Sequence, residues 1–130
     1  QSQINSINRS NKTTISALHK SKELALEMYD SLKSNDLTKF SDIMNKSWEA
    51  KRNFTKGVSN KRIEMVSKKA IEKGAKSLKV TGAGGGGHFF VYADPSKHSS
   101  IIKSLKKLGV NSVDFKYQNQ GAKIFEINNL

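Results

Sequence analysis

A chain of 130 residues with 23 Lys and Arg against 11 Asp and Glu, hence a formal charge of +12, amounts to one domain and invites an anionic partner. Its longest apolar run, Phe89–Ala93, falls far short of the roughly 20 residues a membrane helix needs, so a helical membrane span is excluded. The absence of cysteine removes disulfide scaffolds, thiolate metal sites and thiol nucleophiles together and suits a reducing cytoplasm.

The charge does not gather into a nucleic-acid surface. Arginine, the residue favoured for bidentate phosphate contact, occurs only at Arg9, Arg52 and Arg62, and the lysines are spread in ones and twos. Solvated lysine faces account for that distribution, and no specific nucleic-acid partner is expected. Residues 1–12 are polar and without period, a flexible lead-in. Gln1 opens no charged-then-apolar secretory pattern, and the chain reads as a piece of a longer protein.

Three helices are predicted over residues 13–74. Ile15, Leu18, Lys22, Ala25, Tyr29 and Leu32 alternate at spacings of three and four, the stripe of an amphipathic helix, and Ser34-Asn35-Asp36 supplies stop and N-cap chemistry. Leu37, Phe40, Met44 and Trp48 form the next stripe, on a helix packed antiparallel to the first. After a turn-rich stretch, Ser59 is placed as the N-cap of a third helix that turns Ile63, Val66 and Ala70 inward and stops at Gly74.

Over 76–130 the pattern predicts hairpin, helix, hairpin. Leu78 and Val80 share one face of a first strand, and Phe89–Ala93, apolar on both faces, reads as a covered central strand. Pro95 opens a fourth helix that buries Ile101, Ile102, Leu105 and Leu108 and ends at Gly109. Val113, Phe115 and Tyr117 alternate with polar residues as a half-buried strand, and Gly121 turns it into a last strand carrying Ile124, Phe125 and Ile127. The fold class is therefore α+β: an antiparallel sheet of about four strands with helices packed on it.

Five glycines crowd into Gly82–Gly87. Glycine is costly to order, but without Cβ atoms consecutive amides can turn inward and approach an anion. The run fits G-x-G-x-x-G, yet a strand follows it where the dinucleotide fingerprint requires a helix, and His88-Phe89 stands where a P-loop requires Lys-Ser/Thr.

Lys79-Val80-Thr81-Gly82-Ala83-Gly84-Gly85-Gly86-Gly87 resembles the third signature of the GHMP small-molecule kinases, K-x-T-G-A-G-x-G-G. With Trp48-Glu49-Ala50-Lys51, Gly57-Val58-Ser59-Asn60 and Asp94-Pro95, the likeness runs from about Thr13 to the end and is closest to the heptose 7-phosphate kinases among them. The resemblance implies a ferredoxin-like C-terminal domain of an ATP- and Mg²⁺-dependent enzyme, cytoplasmic, that phosphorylates the anomeric hydroxyl of a heptose 7-phosphate. It also implies a missing N-terminal kinase half as partner, because the family's P-x-x-x-G-L-G-S-S nucleotide loop and its first signature do not occur here. The isolated chain is accordingly expected to be inactive, to bind no cofactor tightly, and to be prone to self-association through its open cleft face.

Residue by residue, the resemblance assigns Thr81, Gly82, Ala83, Gly84, Gly85, Gly86 and Gly87 to phosphate or nucleotide, and Lys51, Arg52, Ser59, Asn60 and Lys79 to the sugar phosphate. His88 departs from the family pattern. Trp48 fits the core stripe, His19 and His98 fall on polar helix faces without carboxylates at ligand spacing, and the scattered acids offer neither a metal site nor a catalytic pair. The alternative reading is a non-catalytic basic α+β module that binds RNA or a sugar phosphate.

Overall fold

The computed structural model describes residues 12–52, 57–82 and 84–121. Helix α1 spans Lys12–Lys33, α2 Leu37–Arg52 and α3 Lys61–Glu72; strands β1 (Ala75–Val80) and β2 (Phe89–Ala93) follow, and α4 spans Pro95–Lys106. Except for Lys12, which opens α1, the expected lead-in lies outside the described residues, as do Ala83 and the last strand with Ile124, Phe125 and Ile127.

Local chemistry sets most of the boundaries. The α1–α2 turn stands on Asn35 in the left-handed region (φ 55°), a conformation asparagine tolerates, and the Asp36 carboxylate accepts from the Lys39 amide at 2.9 Å. At α3 the N-cap is Asn60 and not Ser59: Asn60 Oδ1 accepts from the amides of Arg62 and Ile63, while Ser59 Oγ donates to Glu64. Gly74, at φ +102°, ends α3 as its spacing predicts, and Gly109, at φ +71°, lies just beyond α4. Pro95 occupies the first turn of α4, whose N-cap Asp94 makes an ion pair with Lys76 at 2.9 Å instead of capping through its side chain.

β1 and β2 form an antiparallel ladder in which Leu78 faces Val91 and Val80 faces Phe89, with an irregularity between Ala75 and Ser77. Leu78 packs with Val66, Ala70, Ile101 and Leu105, so α3 and α4 cover one face of the hairpin. On the other, α2 reaches Lys79 through Ser47, and Phe40 stacks edge-on against Tyr92 with centroids 5.4 Å apart. A second cluster joins Trp48, Val58, Ile63 and Val80 beneath the glycine loop, and a third joins Leu24 of α1 to Ile43 and Ala50 of α2. Each large buried side chain contributes about 1.5–3 kcal/mol, whereas the exposed ion pairs contribute about 0–1 kcal/mol. Apolar packing therefore dominates the stability.

The structure departs from further expectations. The sheet has two strands among the described residues: the third expected strand does not form, residues 110–118 making no ladder with Val113, Phe115 and Tyr117 exposed, and the fourth lies outside the described residues. Alternation identifies the two faces of an extended segment but not its hydrogen-bonding partner. Among the described residues β2 is likewise half-buried rather than covered on both faces, and is paired with β1.

Helix α1 turns Ala17, Leu24 and Ser31 toward its neighbours, while Ile15, Ala25, Tyr29 and Leu32 of the expected stripe are exposed. Small residues at the seam let two helices approach closely, and the sequence marks an apolar face without saying which face is covered. Leu37 and Ile102 likewise stand exposed, displaced at the interfaces by Ser41 and Ser47 in α2 and by Ile101 and Leu105 in α4. Among the described residues no helix is long and apolar enough to cross a membrane.

Candidate functional site

The loop between β1 and β2 is held at its mouth and on one flank. At the mouth, the Thr81 amide and hydroxyl both donate to the His88 carbonyl, at 2.9 and 3.2 Å. On the flank, the Gly85 amide donates to the Val58 carbonyl and the Asn60 side-chain amide donates to the Gly85 carbonyl, each at 2.9 Å. Asn60 thus caps α3 with its oxygen and holds the glycine loop with its nitrogen.

The backbone path needs glycine at specific places. Gly82, Gly84, Gly85 and Gly87 all have positive φ, between +74° and +97°, a region side-chain-bearing residues rarely occupy. Gly84 also lies against Val58: a Cβ built there would meet the Val58 Cγ1 at 2.9 Å and its backbone at 3.0 Å. Gly82, Gly86 and Gly87 face open space. Among the described residues the amides of Gly86 and Gly87 have no backbone acceptor.

Two lysines stand below the loop. Lys51, at the end of α2, donates to the carbonyls of Val80, at 3.2 Å, and Gly82. Lys79 points from β1 to Ser47 Oγ at 2.7 Å. Burial pushes the Lys51 ammonium below its ordinary value near 10.5, and the charge of Lys79 pushes it in the same direction. Burial alone depresses Lys79.

Both folded values lie below the unfolded ones, so the folded chain binds fewer protons than the unfolded chain as pH approaches 10.5. The contribution of each lysine is therefore fully present above 10.5 and is lost as pH falls through its depressed folded value. In thermal melts recorded from neutral pH upward, the difference between the native chain and a Lys79→Met variant is expected to move in favour of the native chain. A pH-independent difference excludes a desolvated charge at Lys79.

The predicted site residues separate into two groups. Lys51 and Asn60 converge on the loop, and Lys79 lies beside Lys51 on the α2-facing side of the sheet. Arg52 and Ser59 instead meet Glu64: Arg52 bridges Glu64 at 3.1 Å and Glu49 at 3.0 Å, and Ser59 donates to the same Glu64 carboxylate. Both donors of Thr81 are spent inside the loop.

Sequence reasoning assigned no role to Val58, whose carbonyl and Cα form the ledge under Gly84 and Gly85. Its one signal was an apolar residue inside the otherwise polar Gly57–Asn60 turn. Among the described residues no group of three His, Asp or Glu is placed to hold a metal ion.

A glycine-rich loop joins the two antiparallel strands, with helices packed on the hairpin. Residues 28–111 match the family model "GHMP kinases C terminal". This chain belongs to the GHMP kinase family. Over 114 residues it is 36% identical to the D-glycero-alpha-D-manno-heptose 7-phosphate kinase of Campylobacter jejuni subsp. jejuni serotype O:2 (strain ATCC 700819 / NCTC 11168). The match covers 88% of this chain and 34% of that enzyme, so the GHMP domain described here spans about a third of the length of the curated relative it matches.

Proposed function

We propose that the chain is the C-terminal part of an ATP-dependent sugar kinase. The reaction is phosphoryl transfer to the anomeric hydroxyl of D-glycero-D-manno-heptose 7-phosphate, giving the 1,7-bisphosphate used for nucleotide-heptose and surface-polysaccharide synthesis in the bacterial cytoplasm. The observation that carries this reading is the loop itself: its mouth and flank are fixed, and the Gly86 and Gly87 amides have no backbone acceptor among the described residues. Phosphoryl transfer depends on positioning and on neutralising charge over the equatorial oxygens, and fixed amides do both without reorganising.

Within this proposal the segment from Thr81 to Gly87 faces phosphate, with contact through the amides at its outer end. Lys51 and Asn60 act by holding the loop, and Lys79 adds positive charge beneath it. Arg52 and Ser59 stand at the edge of the site, engaged with Glu64. The Gly86 and Gly87 amides suit an anion, but the described residues supply no set of acidic ligands for Mg²⁺. The metal and the nucleotide loop are assigned to the part of the polypeptide outside this chain.

The test is ADP release from ATP and heptose 7-phosphate. The longer polypeptide containing this chain is expected to turn over, and the 130-residue chain alone is not. Turnover by the isolated chain, or turnover of a different sugar phosphate in place of the heptose, overturns the proposal.

A further inference from the structure

The fold gathers charge that the sequence spreads out. Residues 61–73 and 95–107, which hold α3 and α4 with their C-caps, carry nine of the 23 basic residues and two of the 11 acidic ones, a formal +7 of the chain's +12. Arg62 donates to the Leu108 carbonyl at 2.9 Å and Ser100 to the Lys73 carbonyl at 3.3 Å, so the two helices lie side by side and antiparallel. Both turn their buried residues, Val66 and Ala70 on α3 and Ile101 and Leu105 on α4, toward the hairpin. At 100° per residue, the opposite sectors present Lys61, Met65, Lys68 and Glu72 on α3 and Lys103, Lys106 and Lys107 on α4, all of them exposed. The two acids of the layer are already engaged, Glu64 with Arg52 at 3.1 Å and Glu72 with Lys69 at 2.6 Å. Among the described residues none of the five outward lysines makes a salt bridge.

We infer that this two-helix face docks on an anionic phospholipid bilayer. The charge requires an acidic partner and disfavours a second copy, whose matching face repels it. Two observations choose lipid over nucleic acid. The layer has a single arginine, Arg62, whose guanidinium is engaged with the Leu108 carbonyl, and α3 and α4 hold no Phe, Tyr or Trp on which a base could stack. The exposed apolar side chains are aliphatic instead: Met65, 45% exposed, stands among the lysines, and Ile102, 43% exposed, flanks them on α4. Lysine charges at the level of the headgroups, with short aliphatic groups between them, fit an acidic surface that has hydrocarbon beneath it. The face lies across the hairpin from α2, which carries Lys51 and the Ser47 partner of Lys79. Docking there leaves those two lysines clear of lipid, and the inference does not depend on the sugar proposed above.

The test is flotation of the longer polypeptide containing this chain with vesicles of phosphatidylcholine alone and of phosphatidylcholine mixed with phosphatidylglycerol. Partitioning onto the mixed vesicles and not onto the neutral ones is expected. Lys68→Gln, Lys103→Gln, Lys106→Gln and Lys107→Gln together are expected to weaken it by about 100-fold. Lys22→Gln, Lys33→Gln, Lys39→Gln and Lys46→Gln together, an equal change of net charge on α1 and α2, are expected to weaken it by less than about fivefold. Met65→Ser is expected to weaken it by about fivefold and to leave its salt dependence unchanged.

Absence of partitioning onto the mixed vesicles overturns the inference. Equal losses from the two sets of lysine substitutions overturn it as well, because binding then follows net charge and not this face. A native protein that leaves the vesicles for an RNA oligonucleotide at equal phosphate concentration makes nucleic acid the occupant, with the same result.

Discussion

Gly84→Ala is expected to destabilise the chain to urea by about 2–4 kcal/mol, while Gly86→Ala changes its stability by less than about 0.5 kcal/mol. The two glycines are two residues apart in the same loop, yet their surroundings are opposite. At Gly84 the backbone sits at φ +94° and the added methyl would meet the Val58 Cα and carbonyl oxygen at 3.0 Å, atoms that cannot swing aside. Holding a side-chain-bearing residue in such a region costs about 1–3 kcal/mol, and overpacking adds about as much again.

The loop has a cheaper escape, which sets the upper limit. By lifting off Val58 it gives up the Gly85–Val58 and Asn60–Gly85 hydrogen bonds, about 1 kcal/mol each, together with part of the cover over Val58, which is 2% exposed. At Gly86 a methyl meets nothing within 4 Å and the backbone lies outside the left-handed region. Trp48, the single tryptophan, packs in the same cluster as Val58, so a change in its fluorescence before global unfolding reports the lifted loop. Equal effects of the two substitutions show that the loop does not rest on Val58.

The parts of the fold that were legible in the sequence are those decided locally. The inward triad Ile63, Val66 and Ala70, the stop at Gly74, Pro95 in the first turn of α4 and the strands flanking the glycine run all follow from periodicity and backbone chemistry within a dozen residues. What was not legible is decided between elements. The pattern of α1 contained an apolar stripe, but the covered face is a different one, built on Ala17 and Ser31, because the choice belongs to α2. Phe89–Ala93 looked covered on two sides, whereas a strand's burial depends on its neighbours, and among the described residues β2 is half-buried and paired with β1.

The site divides in the same way. The glycine run and its family signature were readable in the sequence, and Lys51 and Asn60, assigned there to the sugar phosphate, lie against that loop in the fold. The mode of action was not readable. A lysine near a glycine loop suggests a cation offered to substrate, and only the folded geometry shows Lys51 bound to the loop's own carbonyls. Arg52, adjacent to Lys51, differs because the helix turn carries it to Glu49 and Glu64.

Lys51→Met in the longer polypeptide is expected to lower kcat/KM for the sugar phosphate by about 10–100-fold, the scale on which a displaced binding element costs rate, while the melting temperature changes little. The ammonium bridges the carbonyls of Val80 and Gly82, the last residue of β1 and the second residue of the loop. With those two oxygens held toward α2, the lysine fixes the path on which the chain enters the loop. Methionine keeps the aliphatic stem against Val80 and removes the charge, releasing both carbonyls to water. It also removes the repulsion with Lys79, which offsets part of the lost bonding and is why stability is nearly conserved.

Lys51→Arg retains charge and donors and is expected to recover part of the rate. The readout that separates positioning from direct substrate contact is amide hydrogen exchange of Gly84–Gly87 in the 130-residue chain without ligand. Faster exchange at Gly85 in the Lys51→Met chain supports a loop held by the ammonium. Unchanged exchange together with a lost rate assigns Lys51 to the substrate instead.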